Sequence, residues 1–397
     1  MTVSPGSEGA HPELLDRRAD YPILDRRTYL INNSLGAMHR DTRRRLDDFA
    51  DLWDSEGVVA WSTWFPEMMR VADLVGTAIG AAPGTTVLRA NVADALASVA
   101  SCFDLGAGPR SKVVTTAADW PGTHYFWTEQ VRRHGGELVV VPYDDDRNVS
   151  VATERIVDAI DDRTLLVSVS LVQFRTSALL DLAPVVEAAH RHGAIVVLDA
   201  YQAAGCLPVN MAANDVDICV GGSVKFLCGG PGNGWLSVSP NLVETLRPAA
   251  IGWISHAEPF AFEWDDIRYA EGIGRFAGGT PNVPAAYAAA PGYQAIVDIG
   301  NERIRERSQS LTQLLLDGAL ERGFDVRSPH DANRRGGHVT IDPGNAQRVH
   351  DALIERKILV DYRPGGGIRI GPHFYNTADE CIEVLDAMAE LAVVAGR

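Results

Sequence analysis

Between Ala194 and Val238 two short apolar runs each lead into a reactive polar residue, and this pattern constrains the fold more than any other stretch. The first run, Ala194 to Leu198, has the length and β-branched content of a buried strand, and Asp199 follows it at once. The second, Asp217 to Val220, leads through Gly221, Gly222, Ser223 and Val224 into Lys225, 26 residues beyond Asp199. A glycine-rich tail follows at Gly229, Gly230, Pro231 and Gly232. Open α/β sheets gather ligands at the carboxyl ends of their strands, so Asp199 and Lys225 are expected at one site. A desolvated lysine there forms a Schiff base with an aldehyde. A buried aspartate there holds a protonated ring nitrogen. The pair points to pyridoxal phosphate.

The lysine count sharpens the assignment, because the chain has only Lys112, Lys225 and Lys357. Lys112 opens a strand-like run out of a Gly-Pro turn and is expected at the surface. Lys357 follows Glu355 and Arg356 and is expected to be solvated. Only Lys225 has small, apolar and glycine neighbours, where a lysine is rarely buried without a reason. The competing reading is a structural lysine paired with a carboxylate.

The 397 residues are 46% hydrophobic, enough for a sizeable core and two structural lobes. A net charge of −16 argues against a nucleic-acid partner. The five cysteines show no CxxC spacing, so reduced thiols in a cytoplasmic protein and no metal site are expected. No apolar core marks a signal peptide in the first thirty residues, and no run approaches a membrane helix.

Residues 1–20 are polar and read as a flexible or loosely docked arm. Asn32 to Gly36 reads as a turn, and Thr42 to Trp53 and Met68 to Ile79 as helices. Thr86 to Leu88 is a short strand before an Ala-rich helix that opens at Ala90, Asn91, Val92 and Ala93. Free N–H groups at such a helix start suit a phosphate. Lys112 to Thr116 is a strand that delivers Trp120, whose ring is placed to lie flat on a heteroaromatic ring or to pack in the core. Strands at 137–141 and 165–171 alternate with helices at 153–160 and 182–192, which implies a largely parallel sheet covered on both faces. From about 284 one long helical region runs to Arg322, and short strands and helices after it suggest a small α+β lobe. The expected division is 1–49, an N-terminal arm and part of the small domain; 50–290, the large cofactor-binding domain; and 291–397, the small domain.

Together these segments resemble the kynureninase branch of the class V aminotransferase superfamily, from Tyr29 to about Leu391. The resemblance implies fold type I, with a mostly parallel, seven-stranded-type sheet in the large domain. Asn33-Ser34-Leu35-Gly36 matches a kynureninase signature and implies that Asn33 and Ser34 bind substrate. The segment from Trp120 to Tyr125 is similar to one whose aromatic residue stacks on the cofactor. Asp199-Ala200-Tyr201-Gln202 aligns with the segment supplying the pyridinium aspartate, with Gln202 contacting the cofactor's phenolic oxygen. Ser223 and Lys225 fall in the cofactor-lysine segment. Trp253 and His256 resemble a loop contributed by a neighbouring subunit, and Gly279 and Thr280 one that closes the phosphate site from that subunit. A homodimer with shared active sites is therefore implied. Arg369 matches the arginine that grips a substrate α-carboxylate.

Two departures stand out. Val224 replaces the tyrosine usual before the lysine, and Phe174-Arg175-Thr176 replaces two tyrosines. Tyr201 is an alternative source of the missing hydroxyl, and Arg175 is placed to bind an acidic group or the phosphate. The persulfide-forming desulfurases need a cysteine shortly before the carboxylate arginine, and none lies between Cys228 and Cys381. The sequence thus leads to an enzyme cleaving an α-amino acid at Cβ, with class V transamination and a catalytically inactive scaffold as alternatives.

Overall fold

The computed structural model describes residues 9–106, 108–144 and 149–395. Its strands form where β-branched runs are closed by turns: β1 (Thr28–Tyr29), β2 (Thr86–Arg89), β3 (Lys112–Thr116), β4 (Glu137–Val141), β5 (Thr164–Ser170), β6 (Ile195–Asp199), β7 (Ile218–Gly222), β8 (Gly234–Val238), β9 (Asp325–Val326), β10 (Val339–Asp342), β11 (Ile358–Leu359), β12 (Asp361–Arg363) and β13 (Gly367–Ile370). The helices are α1 (Thr42–Glu56), α2 (Trp61–Ile79), α3 (Val92–Ala100), α4 (Pro121–His134), α5 (Thr153–Asp158), α6 (Leu182–Arg191), α7 (Pro240–Val243), α8 (Val283–Ile299), α9 (Asn301–Glu321), α10 (Ala346–Glu355) and α11 (Ala378–Ala395).

Seven strands form the central sheet in the order β2-β8-β7-β6-β5-β3-β4. Every pairing from β7 to β4 is parallel, and β8 runs against both of its neighbours. Alternate residues feed two cores: Val114, Val167 and Leu198 pack on one face, Val113, Leu166 and Val197 on the other. Burial on both faces is why these strands read as unbroken apolar runs. The strands β3, β5, β6 and β7 end along one edge, and Asp119 ties two of those ends together. Its carboxylate accepts hydrogen bonds from Thr116 N at 2.8 Å and Ser170 N at 2.7 Å.

A second sheet, β12-β13-β10-β9, is antiparallel and packs on Leu311, Leu315 and Leu385. Parallel pairing of β1 with β11 joins the N-terminal segment to this lobe.

Three expectations need correction. From residue 12 the arm is docked, not loose: Pro12–Asp20 is a 3-10 helix that buries Leu14, and Arg18 pairs with Glu380 at 2.7 Å. The helical region 284–322 is broken at Gly300, whose φ of 87° no helix continues. Lys112 is buried, because the β3–β5 pairing sets it beside the turn before β5. There its ammonium meets Asp161 at 2.8 Å and the Ala159 carbonyl at 2.7 Å. Lys357 is exposed as expected. The five cysteines form no disulfide. Among the described residues no helix is long and apolar enough to cross a membrane.

Candidate active site

A cavity of about 420 Å³ opens at the carboxyl edge of the central sheet, lined also by β12, β13 and the Asn33–Ser34 turn. Asp199 ends β6, and Lys225 lies three residues past β7. The two strands are hydrogen-bonded neighbours, which brings together residues 26 apart in sequence. Asp199 is buried, and one carboxylate oxygen accepts from Tyr201 N at 2.8 Å. Burial pushes the Asp199 carboxyl up to about 6, against the pull of the Tyr201 N–H and the Lys225 charge. Burial lowers the Lys225 amine to about 7; Asp199 opposes this, and Arg369 and Arg363 reinforce it. The amine lies 4.2 Å from the Tyr201 ring centroid and 5.8 Å from that of Trp120.

Gly222 makes room for Tyr201. A Cβ on Gly222 would fall 2.5 Å from the Tyr201 hydroxyl, so the phenol lies against the backbone of Gly222 and Val224. Val224 itself lines the cavity and brings no hydroxyl.

The start of α3 forms another wall through Asn91, Val92 and Ala93. Asn91 caps the helix by accepting from Asp94 N at 3.0 Å, and Arg89 clamps Asp94 with bonds of 2.9 and 2.7 Å. Gly234 allows β8 to approach, since a Cβ there would come within 2.7 Å of the Asn91 backbone.

Three lining residues, Asn33, Gln202 and Arg363, carry orphaned polar atoms. Both amide atoms of Asn33 and the Gln202 Oε1 are buried with no hydrogen-bond partner among the described residues. Gln202 Nε2 donates to the Asn33 carbonyl at 3.1 Å. Buried unpaired groups cost roughly 1–3 kcal/mol each, so these atoms mark where a polar ligand fits. The full set suits pyridoxal phosphate: an amine for the aldehyde, a carboxylate for the ring nitrogen, a helix start for the phosphate and a free amide for a ring substituent.

Arg369 is fully buried and not in the surface ion pair that a structural role would suggest. Its Nε donates to Asp361 at 2.7 Å, its Nη2 meets the same carboxylate, and its Nη1 donates to the Phe174 carbonyl at 2.6 Å. Asp361 and Arg369 are direct cross-strand partners, so the hairpin itself presents the guanidinium. Trp120 and Ser34 also line the cavity.

Other candidates lie elsewhere. The Ser223 hydroxyl turns to the carbonyls of Gly230 and Asn233 and fastens the glycine loop. Arg175 is not among the residues lining the cavity: its guanidinium lies 5.4 Å from the Phe174 ring centroid, and its Nη1 donates to the Tyr143 hydroxyl at 3.2 Å. His256 accepts from Glu258 N at 3.0 Å and bonds the Asp266 carbonyl at 3.0 Å. Trp253 donates to Thr280 at 3.2 Å, and Gly252 packs on Gly278 and Gly279. These loops form an outer surface separate from the Lys225 cavity of the same chain. Arg363 and Asp361 are the site residues missed in the sequence. The signal was present: alternate residues of a strand share a face, and β12 sets Asp361 and Arg363 on the face of Arg369.

Fold and cavity define a fold type I pyridoxal-phosphate enzyme. The family model for class V aminotransferases matches residues 66–380, and the chain belongs to that family. Its cofactor is pyridoxal 5′-phosphate. The chain is 28% identical over 385 residues to a kynureninase of Bacillus cereus, covering 93% of this chain and 89% of that one. It is 29% identical over 370 residues to an uncharacterized aminotransferase, YcbU, of Bacillus subtilis (strain 168), covering 93% and 95%. Among solved structures it is similar to an apo cysteine desulfurase from Thermococcus onnurineus NA1, with 22% identity, a TM-score of 0.83 and both chains fully covered. A C-DES variant with glycine covalently linked to its PLP cofactor has 19% identity and a TM-score of 0.85, with 94% and 99% covered.

Proposed function

We propose that this enzyme acts on an α-amino acid and breaks a bond at Cβ, by hydrolytic C–C cleavage or by β-elimination. One observation carries the reading: the amine of Lys225, the carboxylate of Asp199 and the guanidinium of Arg369 share one cavity. Pyridoxal phosphate, when bound, supplies an aldehyde for the lysine and a cationic ring that draws electrons from the substrate's α-carbon. Asp199 keeps a proton on the ring nitrogen. Asn91, Val92 and Ala93 would hold the phosphate at the start of α3, Trp120 would cover the ring, Gln202 would bond its phenolic oxygen, and Asn33 and Ser34 would face the substrate. Arg369 takes the α-carboxylate with the N–H groups that Asp361 and Phe174 leave free. Lys225 Nζ then removes and returns protons as general base. Val224 offers no hydroxyl beside Lys225, and Tyr201 is the alternative source against which the kynurenine assay below decides.

The outer loops fit a homodimer in which Trp253, Gly279 and Thr280 complete the partner's site. Nearby Phe260, Phe262 and Trp264 are 58%, 75% and 88% exposed, an apolar surface that a second chain would cover. A second reading, transamination, is favoured by the likeness to YcbU and uses the same residues. The likeness to a cysteine desulfurase is one of fold.

Borohydride reduction and peptide mapping test the cofactor assignment. The pyridoxyl group is expected on Lys225, and a label on Lys112 or Lys357 would sink it. Product analysis over a panel of amino acids then separates the reactions. Cleavage yields fragments shortened at Cβ, whereas transamination yields the intact keto acid. Kynurenine is expected to turn over with a kcat/KM below about 10⁴ M⁻¹s⁻¹, the lower end of the ordinary enzyme range. A higher value would show that the missing Val224 hydroxyl is of no consequence.

A further inference from the structure

The cavity holds more positive charge than the proposed chemistry uses. Lys225, Arg363 and Arg369 line it, and Asp199 is the one carboxylate among its lining residues. Asp361 stands behind the arginines and is shared unequally. It gives one oxygen to Arg369, through both Nε and Nη2, and meets Arg363 only at 3.3 Å through the other oxygen. The Nε of Arg363 is buried with no hydrogen-bond partner among the described residues, and its guanidinium lies 5.9 Å from the Trp120 ring centroid. Arg363 therefore faces the cavity as a cation with most of its donors unspent.

The hairpin explains why it faces inward. Arg363 is paired with Gly367, and Asp361 with Arg369, so both arginines lie on one face, diagonal to each other. Diagonal positions in an antiparallel pair are about 7–8 Å apart. Gly367 has a φ of +123°, and a Cβ on it would meet the Ile341 carbonyl at 2.6 Å.

We propose that Arg363 is a second anion site, and that the preferred substrate is an α-amino acid whose side chain ends in a carboxylate or sulfinate. This rests on the amino-acid reading above. Arg369 takes the α-carboxylate, and Arg363 takes the side-chain anion beside Trp120. Planar guanidinium groups suit both contacts because each presents two parallel donors to an oxyanion. The cation assigned to this task from sequence, Arg175, is bound to Tyr143 instead.

The test uses the cofactor-loaded enzyme and the shift in its visible absorption as amino acids are titrated in. L-aspartate, L-glutamate and L-cysteine sulfinate are compared with L-asparagine, L-glutamine and L-kynurenine. The acidic members are expected to bind at least about tenfold more tightly than their amides. In Arg363→Gln that advantage is expected to shrink to about threefold or less, mainly through weaker binding of the acids. Equal binding of acids and amides by the native enzyme overturns the inference and leaves the amino-acid reading intact. So does an acidic preference that survives in the variant. Failure of every amino acid to shift the spectrum overturns both. If Arg363→Gln does not fold, thermal shifts of the native apoprotein decide the matter. Succinate is expected to stabilise it more than butyrate at equal concentration, and equal shifts overturn the inference. A preference for cysteine sulfinate over aspartate, or the reverse, identifies which oxyanion the site takes.

Discussion

The Lys225 cavity and the Trp253–Thr280 surface are built on different physics. In the cavity, Asp199 and Lys225 lie at the ends of adjacent parallel strands, and Arg363 and Arg369 come from the β12–β13 hairpin. Burial moves Asp199 and Lys225 toward each other in acidity and leaves both poised near neutral pH. On the outer surface Phe65, Trp253 and Phe260 meet edge to face, while Phe262 and Trp264 stand in solvent. The first region is organised by contacts within this chain. The second has apolar area without a cover. Sheet topology is enough to build a charged site, whereas an aromatic rim gains its burial from another surface.

The sharpest way to break this contrast is Asp199→Asn. If the cavity works through its buried charges, the variant folds and loads cofactor but loses roughly 10²-fold or more in turnover, the scale for removing one preorganised electrostatic group. Near-normal turnover in a loaded variant would show that Asp199 does not serve the ring nitrogen.

A smaller effect is expected from pH. An amine lowered to about 7 is mostly protonated at pH 6 and mostly free at pH 8. Only the free amine attacks an aldehyde, so the rate at which apoprotein takes up pyridoxal phosphate should rise about tenfold across that interval. A rise that begins only above pH 9 would mean that Lys225 keeps ordinary lysine acidity.

The smallest signal belongs to the outer surface. Chains with Lys225→Ala are mixed with chains carrying Trp253→Ala and Thr280→Ala, each inactive alone. Random pairing in a symmetric dimer regenerates about a quarter of the sites. No recovery despite exchange of subunits, or an active monomer on sedimentation, would place the loops outside the active site.

How much of this was legible follows from where each signal resides. Asp199 and Lys225 were visible because strand-ending polar residues and a scarcity of lysine are local properties of the chain. The alternation of strands and helices from 86 to 238 was visible for the same reason, as burial on both faces leaves unbroken apolar runs. Asn33, Trp120, Gln202 and Arg369 were found through their motifs, and the fold does bring them to one cavity. The direction of a side chain at a loop or strand end is not local. Ser223 turned to the glycine loop and Arg175 to Tyr143, each drawn by a partner that only the packed chain supplies. Lys112 looked like a surface residue until the β3–β5 pairing put Asp161 beside it. Arg363 joined the site because an antiparallel register, fixed by hydrogen bonds between β12 and β13, placed it on the face of Arg369. Composition and periodicity determine which segments are buried. Which charged group meets which is decided by register and crossover, because Coulomb and hydrogen-bond energies depend on distances that sequence separation does not contain.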